Sequence, residues 1–430
     1  MSWTERTLGE ICDKVDGVVQ TGPFGSQLHE SDYITTGIPV VMPKNIVDGR
    51  VSNEDIAQIS EENARRLQRH VLLAGDIVYG RRGDIGRRAL ITEREEGWLC
   101  GTGCLRVSLG NKILDPEYLY YFLGQKSVIA WIANQAVGAT MPNLNTGILR
   151  SVSVRYPSIK AQARIASILS AYDGLIENNT RRIKIMEQMT QMLYREWFVN
   201  FRFFDHEKST MVESALGQIP ATWSALPMND VVSEIIDYRG KTPKKLGSDW
   251  ANDGVVALSA LNVKHGRLES LDKAKRVDDV LYKRWMKSEL DEGDILMTSE
   301  APLGEAFILT QKRKYCLSQR LFSIRANPQC IFPSLLYLFL GSHGGQGQIR
   351  SRSTGTTVLG IRQSELRKVI VPIPEFGLQK RMNSAVWPLL KQIDTLARKN
   401  ENLRSTRDLL LPKLVSGEVS VETLEEEAFA

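Results

Sequence analysis

The sequence predicts an α+β protein built as two copies of one mixed α/β module, each copy followed by a long helix. Two observations carry this reading. Glycines, prolines and apolar residues recur at an offset near 217, and each copy runs into a heptad-spaced seam.

The repeat can be followed residue by residue. Gly37-Ile-Pro-Val-Val, Asn45 and Gly49-Arg50 return as Gly254-Val-Val-Ala-Leu, Asn262 and Gly266-Arg267. Leu73-Ala-Gly-Asp-Ile77 returns as Leu290-Asp-Glu-Gly-Asp-Ile295, and Gly86 as Gly304. Pro116-Glu-Tyr-Leu-Tyr-Tyr-Phe-Leu-Gly124 returns as Pro333-Ser-Leu-Leu-Tyr-Leu-Phe-Leu-Gly341. Gly138-Ala-Thr140 answers Gly355-Thr-Thr357, and Pro157 with Gln162 answers Pro374 with Gln379. Solenoid units span about 20–50 residues, so this period means two whole modules. The matched residues set turns and cores, while lengths and charges between them differ. Two related sites with different preferences fit this pattern. So does a duplication of which one copy works.

Within each copy, β-branched runs mark strands: Gly75-Asp-Ile-Val-Tyr79, Ala89-Leu-Ile-Thr92 and Leu105-Arg-Val-Ser-Leu109. Pro116 to Gly124 predicts a helix with Asp115 as its N-cap. Val152 to Pro157 and Val369 to Pro374 predict last strands ended by proline. Beyond each proline the spacing changes. Ile176, Asn179, Ile183, Met186, Thr190, Leu193 and Trp197 alternate by three and four, as do Ile393, Leu396, Asn400, Leu403, Arg407, Leu410 and Leu414. That is a coiled-coil seam, with Asn179 and Asn400 as polar residues that set register. The helices pair with each other, or each packs on its own globule. Apolar residues in 183–198 exceed what a two-stranded seam consumes. Met189, Met192, Tyr194, Trp197 and Phe198 are therefore expected to offer a partner-binding face. The boundaries read as 1–158, 159–205, 206–375, 376–417 and an acidic tail at 418–430.

Composition bounds the function. Hydrophobic residues at 42% and charged residues at 24% suit a chain with real cores, not a disordered or fibrous one. The apolar run Leu335 to Leu340 is far shorter than the roughly 20 residues of a membrane span. No signal peptide is visible, and five scattered cysteines argue against a disulfide framework, so a cytoplasmic location is expected. The net charge is +5, with acid concentrated in Glu418, Glu422, Glu425, Glu426 and Glu427, which leaves a more basic body. A mildly basic enzyme stays open on charge alone.

Chemical motifs then narrow the choice. No phosphate-binding Gly-x4-Gly-Lys-Ser/Thr loop, His-Glu-x-x-His or Gly-x-Ser-x-Gly occurs. Cys100-Gly-Thr-Gly-Cys104 lacks the second ligand pair of a zinc site and reads as buried thiols in adjacent strands. With no catalytic residues and no metal ligands singled out, a binding protein is expected.

Duplex DNA is the ligand the loops suit. Phosphates are gripped by Lys, Arg, hydroxyls and backbone N–H groups, while bases are read by Arg, Asn and Gln. The first copy offers Gln20, Thr21, Pro23, Phe24 and Ser26 in a glycine-shaped loop, Arg81, Arg82 and Arg87 around a turn, and Asn143 and Asn145 further on. The second offers Arg239, Lys241, Thr242 and Lys244 in a basic loop, then Thr356 and Thr357. A solvated basic loop accounts for any one of these alone. Their recurrence at equivalent places favours DNA.

In order, these motifs resemble the specificity (S) subunit of type I restriction–modification systems, from Trp3 to about Val419. The resemblance rests on Gly22-Pro-Phe-Gly-Ser26, Gly75-Asp-Ile, Pro157-Ser-Ile-Lys-Ala-Gln162 and Leu193-Tyr-Arg-Glu-Trp-Phe198 in the first copy. In the second it rests on Arg239-Gly-Lys-Thr-Pro243, Gly293-Asp-Ile, Gln379 and Leu409-Leu-Leu-Pro-Lys-Leu-Val-Ser-Gly-Glu418. The base-facing loops depart from strict repetition, since Val358 to Gly360 replaces Met141-Pro-Asn143. The resemblance implies two target recognition domains, joined by two long antiparallel coiled-coil helices, that read a bipartite double-stranded DNA sequence. It implies two modification (methyltransferase) subunits and restriction–translocase subunits as partners. S-adenosylmethionine, ATP and magnesium would belong to those partners, with no cofactor on this chain. The seam from Ile176 to Trp197 spans about 33 Å at about 1.5 Å per residue, close to one duplex turn of about 34–36 Å. A split target with an unread gap is expected. A stand-alone DNA-binding or scaffolding protein is the alternative, and an enzyme with an unrecognised site is a further one.

Overall fold

The structure, a computed structural model, describes residues 2–82, 85–135 and 143–421. The expected match Gly138-Ala-Thr140, the residues Met141 and Pro142, and the acidic Glu422, Glu425, Glu426 and Glu427 lie outside the described residues. The chain divides into two compact units, residues 1–176 with 402–430, and residues 177–401. Each unit thus takes its globule from one copy and a helical segment from both.

The two globules repeat one topology. In the first unit, strands Val18–Thr21, Cys104–Ser108, Ile77–Gly80 and Arg88–Leu90 lie side by side in that order, all antiparallel. In the second unit the same order is kept by Val232–Asp237, Leu321–Ala326, Ile295–Thr298 and Ala306–Ile308. Ile77–Gly80 and Ile295–Thr298 are buried along their whole length, which is why both read as unbroken apolar runs without alternation. A second sheet in each unit is built on a parallel pair, Ile38–Val41 with Leu99–Cys100 and Val255–Leu258 with Cys316–Leu317. The predicted last strands appear as Ser153–Tyr156 and Ile370–Ile373. Each pairs antiparallel with a strand from the early part of its unit, Thr4–Thr7 or Ser224–Pro227. That closure was not legible, because Thr-Glu-Arg-Thr has no apolar alternation.

The predicted short helix is Pro116–Phe122, and Asp115 caps it by accepting the Tyr118 N–H at 2.9 Å. Its residues Tyr118 and Leu119 join Tyr79 and Leu105 in the core. Each such large side chain taken from water stabilises the fold by about 1.5–3 kcal/mol. Cys100 and Cys104 are buried thiols on successive strands, as expected. Burial pushes the Cys100 thiol up to about 12 and Cys104 well above its usual value, the opposite of a reactive thiolate.

An ion pair on a buried aspartate recurs with its arginine transposed. In the first unit Arg106 Nε meets Asp76 at 2.6 Å. In the second, Arg325 grips both oxygens of Asp294 at 2.7 Å. The strand sequences are Arg106-Val-Ser108 and Ser323-Ile-Arg325. Residues two apart on a strand share a face, so arginine at either position reaches the aspartate.

The seam helices are Ile159–Tyr194 and Phe376–Ser416. The latter continues through Pro388 and Pro412, both exposed. In the first unit Ile165 and Leu169 share a core with Leu411, Leu414 and Val415, and Asp173 pairs with Arg407. In the second, Asn179 donates to the Asn400 side-chain oxygen at 2.9 Å, and Ile183 packs with Ile393 and Leu396. Within each unit, rising numbers on one helix meet falling numbers on the other, so the segments run antiparallel. They also pack on the globule, since Ile183 and Leu396 share a cluster with Ile295 and Met297. The pairing reading of the seam therefore holds, and the own-globule reading holds only in part, since Ile183 packs on the second copy's globule and Leu411 on the first. Among the described residues, no helix is long and apolar enough to cross a membrane.

Candidate nucleic-acid interface

In the first unit, backbone bonds gather the singled-out loops. Gly22 N–H donates to Cys104 O at 2.9 Å, and Thr102 Oγ1 to Pro23 O at 2.9 Å. Arg81 N–H donates to Gly103 O at 2.8 Å, and Leu144 N–H to Arg81 O at 2.9 Å. Glycine is required at 22, where a Cβ would stand 2.0 Å from the Gly101 carbonyl oxygen. Residues far apart in sequence thus form one surface.

The side chains on that surface divide by what they touch. Phe24 is 58% exposed, and Ser26 and Arg82 are exposed too. Arg81 is half-buried, its Nε donating to Asn143 Oδ1 at 3.1 Å. Arg87 is exposed and reaches Pro43 O at 3.3 Å, next to the exposed Lys44. Asn145 is spent as a helix cap, accepting Ile148 N–H at 2.9 Å. Gln20 donates its side-chain amide to Arg69 O, Thr21 is half-buried and Pro23 is buried.

The second unit builds the same cluster from other residues. Ser299 N–H donates to Arg320 O at 2.8 Å, and Ile361 N–H to Ser299 O at 2.9 Å. These repeat the bonds of Arg81 with Gly103 and Leu144. Glu300 bridges to Gly360 where Arg82 bridges to Asn143. Thr354 and Gly360 exchange backbone bonds of 2.8 and 2.9 Å, closing a loop that exposes Thr356 and Thr357. Arg239 joins this cluster through Ile361 O at 3.4 Å. Its Nε and Nη2 bind Asp237 at 2.9 and 2.8 Å, and it lies over the Phe322 ring at 4.1 Å. Lys241 folds back on Trp285 O at 2.8 Å and over the Tyr238 ring. Partial burial, with Lys287 nearby, holds its ammonium below the usual lysine range. Thr242 accepts Lys245 N–H at 3.3 Å, and Lys244 is exposed.

Sequence reasoning passed over Lys44, Glu300 and Arg320. The last two were within its reach, because the offsets of 218 and 217 place them on Arg82 and Gly103. A cavity of about 820 Å³ in the second unit, lined by Glu187, Arg267 and Tyr337 among others, shares no residue with these loops.

The expected partner face needs correction. Met189 and Met192 are 46% and 62% exposed, and Ile185 and Val199 are exposed beside them. Tyr194 and Phe198 are buried, stacked at 5.0 Å, with Phe198 against Trp223 at 5.3 Å. Trp197 is half-buried on the same core. The cause is a wide last turn, Arg195–Val199, in which Asn200 N–H reaches back to Arg195 O at 2.9 Å. It turns these rings onto residues 201–228, a contact that heptad spacing cannot show.

Two homologous globules with matched loop clusters and antiparallel helical segments define a recognition scaffold. The type I restriction modification DNA specificity domain matches the chain twice, over residues 1–188 and 222–405. The chain is 26% identical over 400 residues to the MjaIX type I restriction enzyme specificity subunit of Methanocaldococcus jannaschii, covering 91% of this chain and 89% of that one. It is 20% identical over 476 residues to the HindI specificity subunit of Haemophilus influenzae, covering 97% and 99%. The type I restriction–modification S subunit from M. genitalium has the same fold, with a TM-score of 0.62 at 16% identity over 96% of each chain. The chain belongs to the type I restriction–modification DNA specificity family. It is a DNA-recognition subunit and not a catalytic one.

Proposed function

We propose that this chain reads a bipartite duplex, one short block per domain, and scaffolds two methyltransferase subunits, with restriction–translocase subunits joining them. In this reading the partners hold S-adenosylmethionine, ATP and magnesium, and the assembly works in the cytoplasm. One observation supports it most. The same loop cluster is built twice in one chain, with Arg81, Arg82 and Asn143 in one copy and Ser299, Glu300 and Gly360 in the other. Equal scaffolds with unequal side chains suit two different half-sites.

The test is methylation mapping by the complex reconstituted with its methyltransferase subunits. Two specified blocks around a fixed unread gap are expected. Inserting four residues after Thr180 adds about 6 Å of helix and should lengthen the gap by about one or two base pairs, with both blocks unchanged. Arg82→Ala should weaken binding with a salt slope shallower by about one if the contact is to phosphate. A continuous target would overturn the bipartite reading. Tight sequence-specific binding by the isolated chain would favour a stand-alone binder.

A further inference from the structure

We infer that Arg320 reads a guanine in the half-site of the second domain, with Glu300 as the residue that positions it. The inference rests on the DNA-reading function proposed above.

Backbone conformation is the first observation. Arg320 is held at φ +63°, in the left-handed region, and its counterpart in the first copy is Gly103 at φ +82°. The hydrogen bonds at the two positions match, Ser299 N–H to Arg320 O and Arg81 N–H to Gly103 O, each 2.8 Å. Glycine satisfies this turn without strain, and an arginine does not. Among the described residues, four of the eight other non-glycine residues at positive φ are aspartates, and the rest are Phe201, His265, Ser270 and Ala301. Short polar side chains ease that conformation, and a long arginine side chain does not. Its presence therefore calls for a return elsewhere.

Stability does not provide that return. Arg320 Nε meets Glu300 Oε1 at 3.2 Å, with the side chains 54% and 40% exposed. An exposed pair of this kind adds little to folding. It does orient the guanidinium. With Nε on the carboxylate, the two Nη groups remain for a ligand, and their fork matches O6 and N7 of guanine. Glu300 also bridges to Gly360, so the fork stands beside the loop that exposes Thr356 and Thr357. The first copy has the opposite arrangement. Arg82 replaces Glu300 and Gly103 carries no side chain, so its arginine projects from the neighbouring strand.

The experiment uses the complex with its methyltransferase subunits and a duplex library in which every target position is varied. Arg320→Gly suits the backbone, so the fold is retained. Discrimination for guanine should fall about 10- to 100-fold at one position of one block only. Arg320→Lys keeps the charge but cannot make the paired contact, and should lose the same discrimination. Glu300→Ala should lower it several-fold at that same position. Glu300→Gln, which keeps the shape of the side chain but removes the charge facing Nε, should lower it by a similar factor. A uniform loss across all positions, repaired by Arg320→Lys, would mean a phosphate contact and overturn the inference. An unchanged specificity profile in Arg320→Gly would overturn it too, leaving the bipartite reading intact. A wild-type complex with no split target would remove both.

Discussion

Gln162 Oε1 accepts the backbone N–H of Asp115 at 2.8 Å. Its Nε2 donates to Ile113 O at 3.1 Å and Pro157 O at 3.0 Å. One fully buried amide thus ties the start of a core helix to the last strand and the start of the long helix. Gln379 makes the same three bonds, from Phe332 N–H at 3.3 Å and to Cys330 O at 3.0 Å and Pro374 O at 2.9 Å. Every partner is displaced by the repeat offset.

Removing this amide should be costly. Gln162→Leu strands one N–H and two carbonyls away from water, and each unmet group costs about 1–3 kcal/mol. A loss of about 2–5 kcal/mol is expected for Gln162→Leu or Gln379→Leu, read as a shift in the urea midpoint. A change below about 0.5 kcal/mol would show that water replaces the amide.

The transposed ion pair predicts a rescue. Arg106→Ser leaves Asp76 buried and unpaired, which should cost about 3–5 kcal/mol. Adding Ser108→Arg writes the order of the second copy into the first. That double variant should recover at least half of the loss in thermal unfolding. An additive or worse double variant would show that the two sheets do not share one geometry.

His70 predicts a pH dependence. It is 2% exposed, accepts from Arg69 Nε at 3.0 Å and leaves Nδ1 without a partner. Burial, and then the neighbouring Arg69, bring its pKa down to about 4. The unfolded chain protonates this histidine first, near about 6.5. Its contribution to stability is therefore complete above about 6.5 and is lost as pH falls towards about 4, up to about 3 kcal/mol. His70→Gln should flatten the stability curve over that window relative to wild type. Parallel curves would assign the acid sensitivity to other groups.

Met192 predicts an assembly defect. Met189 and Met192 are the most exposed methionines on the central helix, with Ile185 beside them. Met192→Glu should leave unfolding within about 0.5 kcal/mol of wild type, because the side chain is mostly exposed. On gel filtration with the methyltransferase subunits it should shift the complex towards free chain. Unchanged co-elution would place the docking face elsewhere.

Much of this protein is legible from sequence. The repeat, the core strands, the Asp115 cap and the two seams follow from local rules, namely periodicity, turn residues and apolar runs. Asn179 and Asn400 could be placed on the seams in advance because heptad spacing states which residues face a partner, while their contact with each other is shown by the structure. Tertiary structure decided what local rules cannot carry. It turned Tyr194 and Phe198 inward through a widened turn, and it closed Thr4–Thr7 onto Ser153–Tyr156 across the whole module. It also separated the loop residues that face solvent from those spent on the fold. Arg82 is exposed on the surface, while Arg239 is held by Asp237 and Lys241 by Trp285. An arginine carries the same charge in either setting. Whether that charge reaches a ligand depends on which carboxylate or carbonyl the chain brings within about 3 Å, and that partner can lie anywhere in the sequence.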